Sequence, residues 1–233
     1  MCGRYAITLP PEAMRRVFAY VEQPNFPPRY NVAPTQPAPI VRMAAGARHF
    51  GLVRWGFLPG FVKDPKTFPL IINARAEGIE TKPSFRAAMR RRRCLFIADG
   101  WYEWRRTSDA RGKMVKQPFL LRARDHGPLG FAGLYETWSD PQGGEIETGC
   151  IVTTSANAAT VAIHDRMPVL IQEEDVDEWL FQGNGPQAVA SLLVPAAPDY
   201  LVATAVSLRV NSVRNDDAAC LEPSDFPIPN AAD

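Results

Sequence analysis

Runs of β-branched, aromatic and aliphatic residues dominate this chain, and helical patterns do not alternate regularly with them. Such runs cover residues 38–43, 49–57, 95–104, 118–124, 129–137, 148–155 and 200–207. Each has the length and residue types of a strand. Helical spacing is confined to short stretches. Pro10-Pro11-Glu12 opens one, with Ala13, Met14, Val17 and Phe18 on a common face, and residues 83–93, 156–163, 173–181 and 186–193 read as others. The segment 23–39, rich in proline and polar residues, reads as an ordered irregular loop. This order predicts an α+β fold in a single domain, with mainly antiparallel, curved, barrel-like sheets and flanking short helices. The expected domain spans residues 1–222. The remainder, 223–233, contains prolines and small residues and is expected to be mobile or loosely docked.

The chain has 233 residues, enough for a genuine core, with 46% hydrophobic and 22% charged residues. Its 26 basic and 25 acidic residues nearly cancel, so any nucleic-acid binding has to come from a local basic stripe. The four cysteines, Cys2, Cys94, Cys150 and Cys220, form no closely spaced pair, which argues against zinc and for a reducing compartment. The first residues lack the apolar run of a signal peptide, and no stretch approaches a membrane span. The expectation is a cytoplasmic monomer with no metal, no cofactor and no membrane partner.

Five features bear on chemistry. Cys2 follows the initiator methionine, and a small second residue permits Met1 removal. The freed cysteine would carry an amine and a thiol on adjacent carbons, a reagent that closes a five-membered ring on aldehydes. Its amine titrates near ~7.7–8.0 and is partly neutral in cells. Ile71-Ile72-Asn73-Ala74-Arg75-Ala76-Glu77, if extended, turns Asn73, Arg75 and Glu77 to one face and Ala74 and Ala76 to the other. Asp99-Gly100-Trp101-Tyr102-Glu103-Trp104 brackets a carboxylate with aromatics that would desolvate it. His164 is followed at once by Asp165 and Arg166. Residues 83–93 would align Arg86, Arg90 and Arg93 on one helical face, with Arg91 and Arg92 beside it. Together with Arg4, Arg29 and Arg75, this stripe suits either solvent or a phosphate backbone. Taken singly, each feature also has a structural explanation: core packing, a rim ion pair or a solvated basic face.

In this order the blocks Met1-Cys2-Gly3-Arg4-Tyr5, Arg29-Tyr30-Asn31-Val32-Ala33-Pro34, Arg54-Trp55-Gly56 and Ile72–Glu77 resemble the SOS-response-associated peptidase family, together with the Asp99 to Trp104, Ile163 to Pro168 and Asn211 to Asn215 blocks. The resemblance spans nearly the whole chain. It implies a compact β-rich domain with a positively charged groove that acts on single-stranded DNA containing abasic sites. Cys2 is similar to the family nucleophile, Asn73 to the asparagine that holds its amine, Glu103 to the acid–base group and His164 to a proton shuttle. Arg4, Arg75, Arg166 and Thr153 resemble phosphate contacts, and Pro34 and Trp104 a base-stacking wedge. Phe61, in a loop where some relatives carry paired tryptophans, is expected to stack on DNA, whereas Val62 beside it cannot. The alternatives are a non-covalent DNA-binding module and an amide-hydrolysing enzyme with an N-terminal nucleophile. Against the latter, the Asn-Gly and Gly-Asp dipeptides such enzymes use have no convincing counterpart.

Overall fold

The computed structural model describes residues 2–108, 114–140 and 143–226. Thirteen strands and three α-helices follow in chain order: β1 (Tyr5–Ile7), α1 (Pro11–Phe18), β2 (Arg29–Val32), β3 (Pro37–Ala44), β4 (Ala47–Trp55), β5 (Asn73–Arg75), α2 (Arg86–Arg91), β6 (Arg93–Ala98), β7 (Gly100–Ser108), β8 (Met114–Ala123), β9 (Leu129–Ser139), β10 (Glu145–Ser155), β11 (Arg166–Pro168), β12 (Leu170–Ile171), α3 (Val176–Leu180) and β13 (Leu201–Ala205). The fold is mostly β, in one domain, as the strand-rich pattern predicts.

Five strands close on themselves. β4 pairs β3, β3 pairs β6, β6 pairs β9 and β9 pairs β10, all antiparallel, and a parallel pairing of β10 with β4 completes the circuit. β5 and β11 add to β10, and β12 adds to β9. A second sheet runs β13-β8-β7-β1-β2. Inside the barrel the Phe96 ring crosses beneath two neighbouring strands. A Cβ at Gly133 or Gly149 would come within 2.6 or 2.9 Å of that ring, so both positions need glycine for close backbone approach.

The expected run 95–104 is two strands in different sheets, broken at Asp99. Its carboxylate accepts from the Thr8 amide at 2.8 Å, the Thr8 hydroxyl at 2.6 Å and the Leu9 amide at 2.9 Å. This anchor turns the chain from barrel to second sheet. The segment 23–39 is also more regular than expected. β2 forms because Asp216 accepts from the Tyr30 and Asn31 amides and β1 pairs beside it, neither visible locally. The expected helix 156–163 is a set of turns. The Asn157 side-chain oxygen accepts from the Ala159 and Thr160 amides, each at 3.1 Å, a local alternative to helix. In 186–193 turns at residues 186–189 lead into a single 3-10 turn, Ala190–Leu192, in place of the expected helix.

The arginine stripe does not exist as predicted. α2 ends at Arg91, and Arg93 enters β6 with no exposed surface. Its guanidinium donates to the carbonyls of Trp179 at 2.6 Å, Met89 at 2.7 Å, Phe181 at 2.6 Å and Asn184 at 3.1 Å. It also lies 5.6 Å from the Trp179 ring centre. Arg92 pairs with Glu136 at 2.6 Å. At the other end, Pro223 bridges to Val206, the Ser224 amide donates to Ala205, and the Phe226 ring meets Phe119. Residues 227–233 of the expected tail lie outside the described residues. Among the described residues, no helix is long and apolar enough to cross a membrane.

Candidate active site between the two sheets

β1 carries the start of the chain into the second sheet, where the Tyr102 amide donates to the Arg4 carbonyl at 2.9 Å. Cys2, three residues before the strand, is thereby buried beside β7 with no exposed surface. β5 belongs to the other sheet, held in parallel register with Asn73 opposite Ile151 of β10. The Asn73 amide nitrogen donates to the Cys2 carbonyl at 2.9 Å and so ties the two sheets at this point. Its side-chain oxygen is buried and has no hydrogen-bond partner among the described residues. Alternation along β5 holds, with Ala74 buried and Arg75 exposed.

Glu103 follows Tyr102 on β7 and is 3% exposed. Burial pushes its carboxyl up to about 7. His164 arrives from the turn before β11 and puts Nε2 at 4.0 Å from a Glu103 carboxylate oxygen. Burial lowers the imidazole below its ordinary value and favours the neutral ring. Its Nδ1 lies 3.0 Å from the Arg166 amide and 2.9 Å from an Asp165 oxygen. A neutral ring accepts from the amide at Nδ1 and carries its proton on Nε2, towards Glu103. A protonated ring instead gives Nδ1–H to Asp165. The Cys2 thiol is pushed well up, first by burial and then by the Glu103 charge, while the Arg4 amide on its sulfur opposes this. The site therefore holds a protonated thiol, a carboxyl titrating near neutrality and a neutral imidazole. These three groups and Asn73 all come from one chain.

A cleft of about 500 Å³ opens here, lined by Arg4, Glu103, Trp104, Arg106, Lys116, His164 and Asn211. A larger one, about 670 Å³, lies between Arg124, Leu170, Leu192 and Tyr200 and holds none of these groups, so size alone does not mark the site. Arg4 is fixed by the Asn31 side-chain oxygen at 2.8 Å and the Val210 carbonyl at 3.1 Å, and lies 5.6 Å from the Trp104 ring centre. The Trp104 indole donates to Asn211 at 2.6 Å. Arg166 chelates Glu77 at 2.6 and 2.9 Å, and this bond holds the Glu77 carboxyl well below the usual carboxylate range. Thr153 is fully buried and has no surface for a phosphate; its carbonyl accepts from Arg166 at 2.6 Å instead. Pro34 is half-buried. Phe61 is 61% exposed and edge-on to Phe68. Among the described residues, no group of three or more histidine, cysteine or acidic side chains is arranged to hold a metal ion.

Sequence reasoning did not single out Arg106 or Lys116, and it named Asn211 only as the start of a family-like block, without a place in the site. Arg106 was accessible from period-two alternation after Trp104. Lys116 needed the hairpin register, and Asn211 needed the return of the chain's last segment.

The comparisons match this arrangement to a family. Residues 1–213 fit the model described as SOS response associated peptidase (SRAP). The chain belongs to the SRAP family. It is 36% identical over 226 residues to abasic site processing protein YoqW of Bacillus subtilis, covering 95% of this chain and 99% of that one. YedK of Escherichia coli, an abasic site processing protein, is 33% identical and is covered in full, over 96% of this chain. HMCES of Gallus gallus, also named an abasic site processing protein, is 29% identical, covering 98% of this chain and 80% of that protein. In fold, a Bacteroides thetaiotaomicron crystal structure superposes with a TM-score of 0.83 at 24% identity, covering 96% of this SRAP chain and all of the other.

Proposed function

We propose that this SRAP protein processes abasic sites by capturing the ring-opened sugar aldehyde in single-stranded DNA on Cys2. The observation that carries this reading is the tie from Asn73 to the Cys2 carbonyl, with Cys2 close enough to Glu103 to feel its charge and Glu103 facing His164. Met1 has to be removed first, because an amide nitrogen does not condense with an aldehyde. The freed amine adds to the carbonyl carbon, and loss of water gives an iminium. The sulfur then attacks the same carbon. One C–N and one C–S bond form, and the carbonyl oxygen leaves as water with one proton from nitrogen and one from sulfur. The product is a thiazolidine linking protein to DNA.

Glu103, poised near neutrality, supplies a proton to the departing oxygen. The buried side-chain oxygen of Asn73 is placed to accept from the amine, and His164 passes protons between Glu103 and solvent. Arg4, Arg75 and Arg166 face phosphates, while Trp104 and Pro34, with Phe61 at the rim, meet bases. Arg166 reaches a phosphate only by sharing itself with Glu77.

The test is a denaturing gel. Wild-type protein mixed with a single-stranded oligonucleotide carrying an abasic site is expected to give a heat-stable shifted band, and Cys2→Ala none. Cys2→Ser keeps the amine, so it gives a band only after borohydride traps the imine. A heat-stable adduct in Cys2→Ala rules out the proposed nucleophile. Glutamine hydrolysis by the wild type, without an adduct, would point to amide chemistry instead.

A further inference from the structure

β7 outruns its neighbour. Tyr5 of β1 sits opposite Trp101, and beyond the Arg4–Tyr102 bond β7 continues to Ser108 paired only with β8. The register of that hairpin places Trp104 opposite Pro118 and Arg106 opposite Lys116. With a side-chain period of two, Trp104 and Arg106 share one face, and Lys116 stands across from Arg106 on it. Two like charges set directly opposite disfavour the hairpin. Yet neither has a salt-bridge partner among the described residues, and both side chains are exposed at the mouth of the cleft that holds Glu103 and His164. Arg4 already occupies the Trp104 ring on the inner side, so the cationic pair extends an aromatic-and-basic face outward from the reactive centre. Asn211 fastens it, donating to the Lys116 carbonyl at 3.4 Å while accepting from Trp104.

We propose that Arg106 and Lys116 form a phosphodiester-binding pair that holds the single strand where it leaves the cleft along the second sheet. The ligand is the sugar-phosphate backbone flanking the lesion, and the counter-charge it brings relieves the repulsion across the hairpin. The inference rests on the abasic-DNA reading above and adds to it the path of the strand. Arg75 and Arg166 stand on the barrel side, so the two walls divide the strand between them.

The experiment measures equilibrium binding of a fluorescent single-stranded oligonucleotide with an unreactive tetrahydrofuran abasic analogue. Salt is varied over about 50–200 mM. Each single-strand phosphate contact contributes about 0.7 to the slope of log affinity against log salt, so R106Q/K116Q should be shallower by about 1.4. Affinity near 0.1 M salt should fall on the order of tenfold. The charge-matched control R16Q/R91Q alters exposed arginines outside the cleft and should move neither quantity. The thermal midpoint of R106Q/K116Q should equal or exceed that of wild type. An unchanged slope, an equal change in the control, or a lowered midpoint overturns the inference; the last would mark the pair as structural. Failure of wild type to form an adduct with a true abasic site would remove the covalent reading alone, because the slope is measured on an unreactive analogue.

Discussion

Glu103→Gln should slow adduct formation by roughly 10²–10⁴-fold, the usual worth of a positioned general acid, while leaving DNA affinity within a fewfold of wild type. The pH profile carries the sharper signature. Adduct formation needs a neutral amine, which favours higher pH, and a protonated Glu103, which favours lower pH. With the carboxyl at about 7 and the amine near ~7.7–8.0, the wild-type rate should be bell-shaped and peak close to neutrality. Glutamine cannot ionise, so the alkaline limb should vanish and the residual rate should rise with the amine alone. The same substitution should stabilise the fold. Glu103 is raised in the folded state from an ordinary value of 4.5 to about 7, so the native protein favours the protonated form. No penalty exists below 4.5; it grows as pH rises and is complete above about 7, on the order of 3 kcal/mol. Thermal unfolding at pH 8 and pH 4.5 checks this: the midpoint gain of the glutamine variant should appear at pH 8 and fade at pH 4.5. An alkaline limb that persists in the variant would remove Glu103 as the acid.

Arg93→Met should cost more stability than any surface substitution. The guanidinium joins α2, β6 and the end of α3 through four carbonyls and the Trp179 ring. Methionine fills much of the volume but leaves those carbonyls without donors in a buried place. Bonds to a charged donor contribute about 1.5–3 kcal/mol each, and they are not additive within one group, so a total of about 4–5 kcal/mol is expected. For a chain of this size that lowers the thermal midpoint by roughly 10–15 °C. Lysine, a point donor on a flexible stem, cannot span all four carbonyls and should fall between the two. A midpoint for Arg93→Met within about 3 °C of wild type would show that solvent reaches these carbonyls after all.

Arg93 also marks the boundary of what the sequence reveals. In the chain it is one of four consecutive arginines, and helical spacing enrols it in a basic face with Arg86 and Arg90. Three of the four carbonyls that hold it lie more than eighty positions away, where no local window reaches. The same limit applies to β1, β2 and β5. Each is three or four residues long, too short for periodicity, and exists because a distant strand pairs with it. The long strands were legible because continuous runs of β-branched, aromatic and aliphatic residues record burial directly. The candidate site residues were legible for another reason: Cys2, Asn73, Glu103 and His164 sit in blocks whose order resembles one family. That resemblance says nothing of Arg106 and Lys116, whose significance appears only when the hairpin register sets them face to face. Thr153 shows the converse error, since a residue in the right block can lie beneath the surface it was expected to form.

Asn31 sets the order in which the candidate site is assembled. Its side chain is fully buried and binds the carbonyls of Val210, Ser212 and Asn215, while its oxygen holds Arg4. On the ribosome, the segment that fixes Asn31 and Arg4 is therefore among the last to emerge. At about 5–20 residues per second, the first residues wait on the order of 10–40 s for it. During that interval Arg4 lacks the Val210 carbonyl that fixes it at the cleft. The wall of the cleft that carries Arg4 is thus completed only when the last segment of the chain has returned to Asn31.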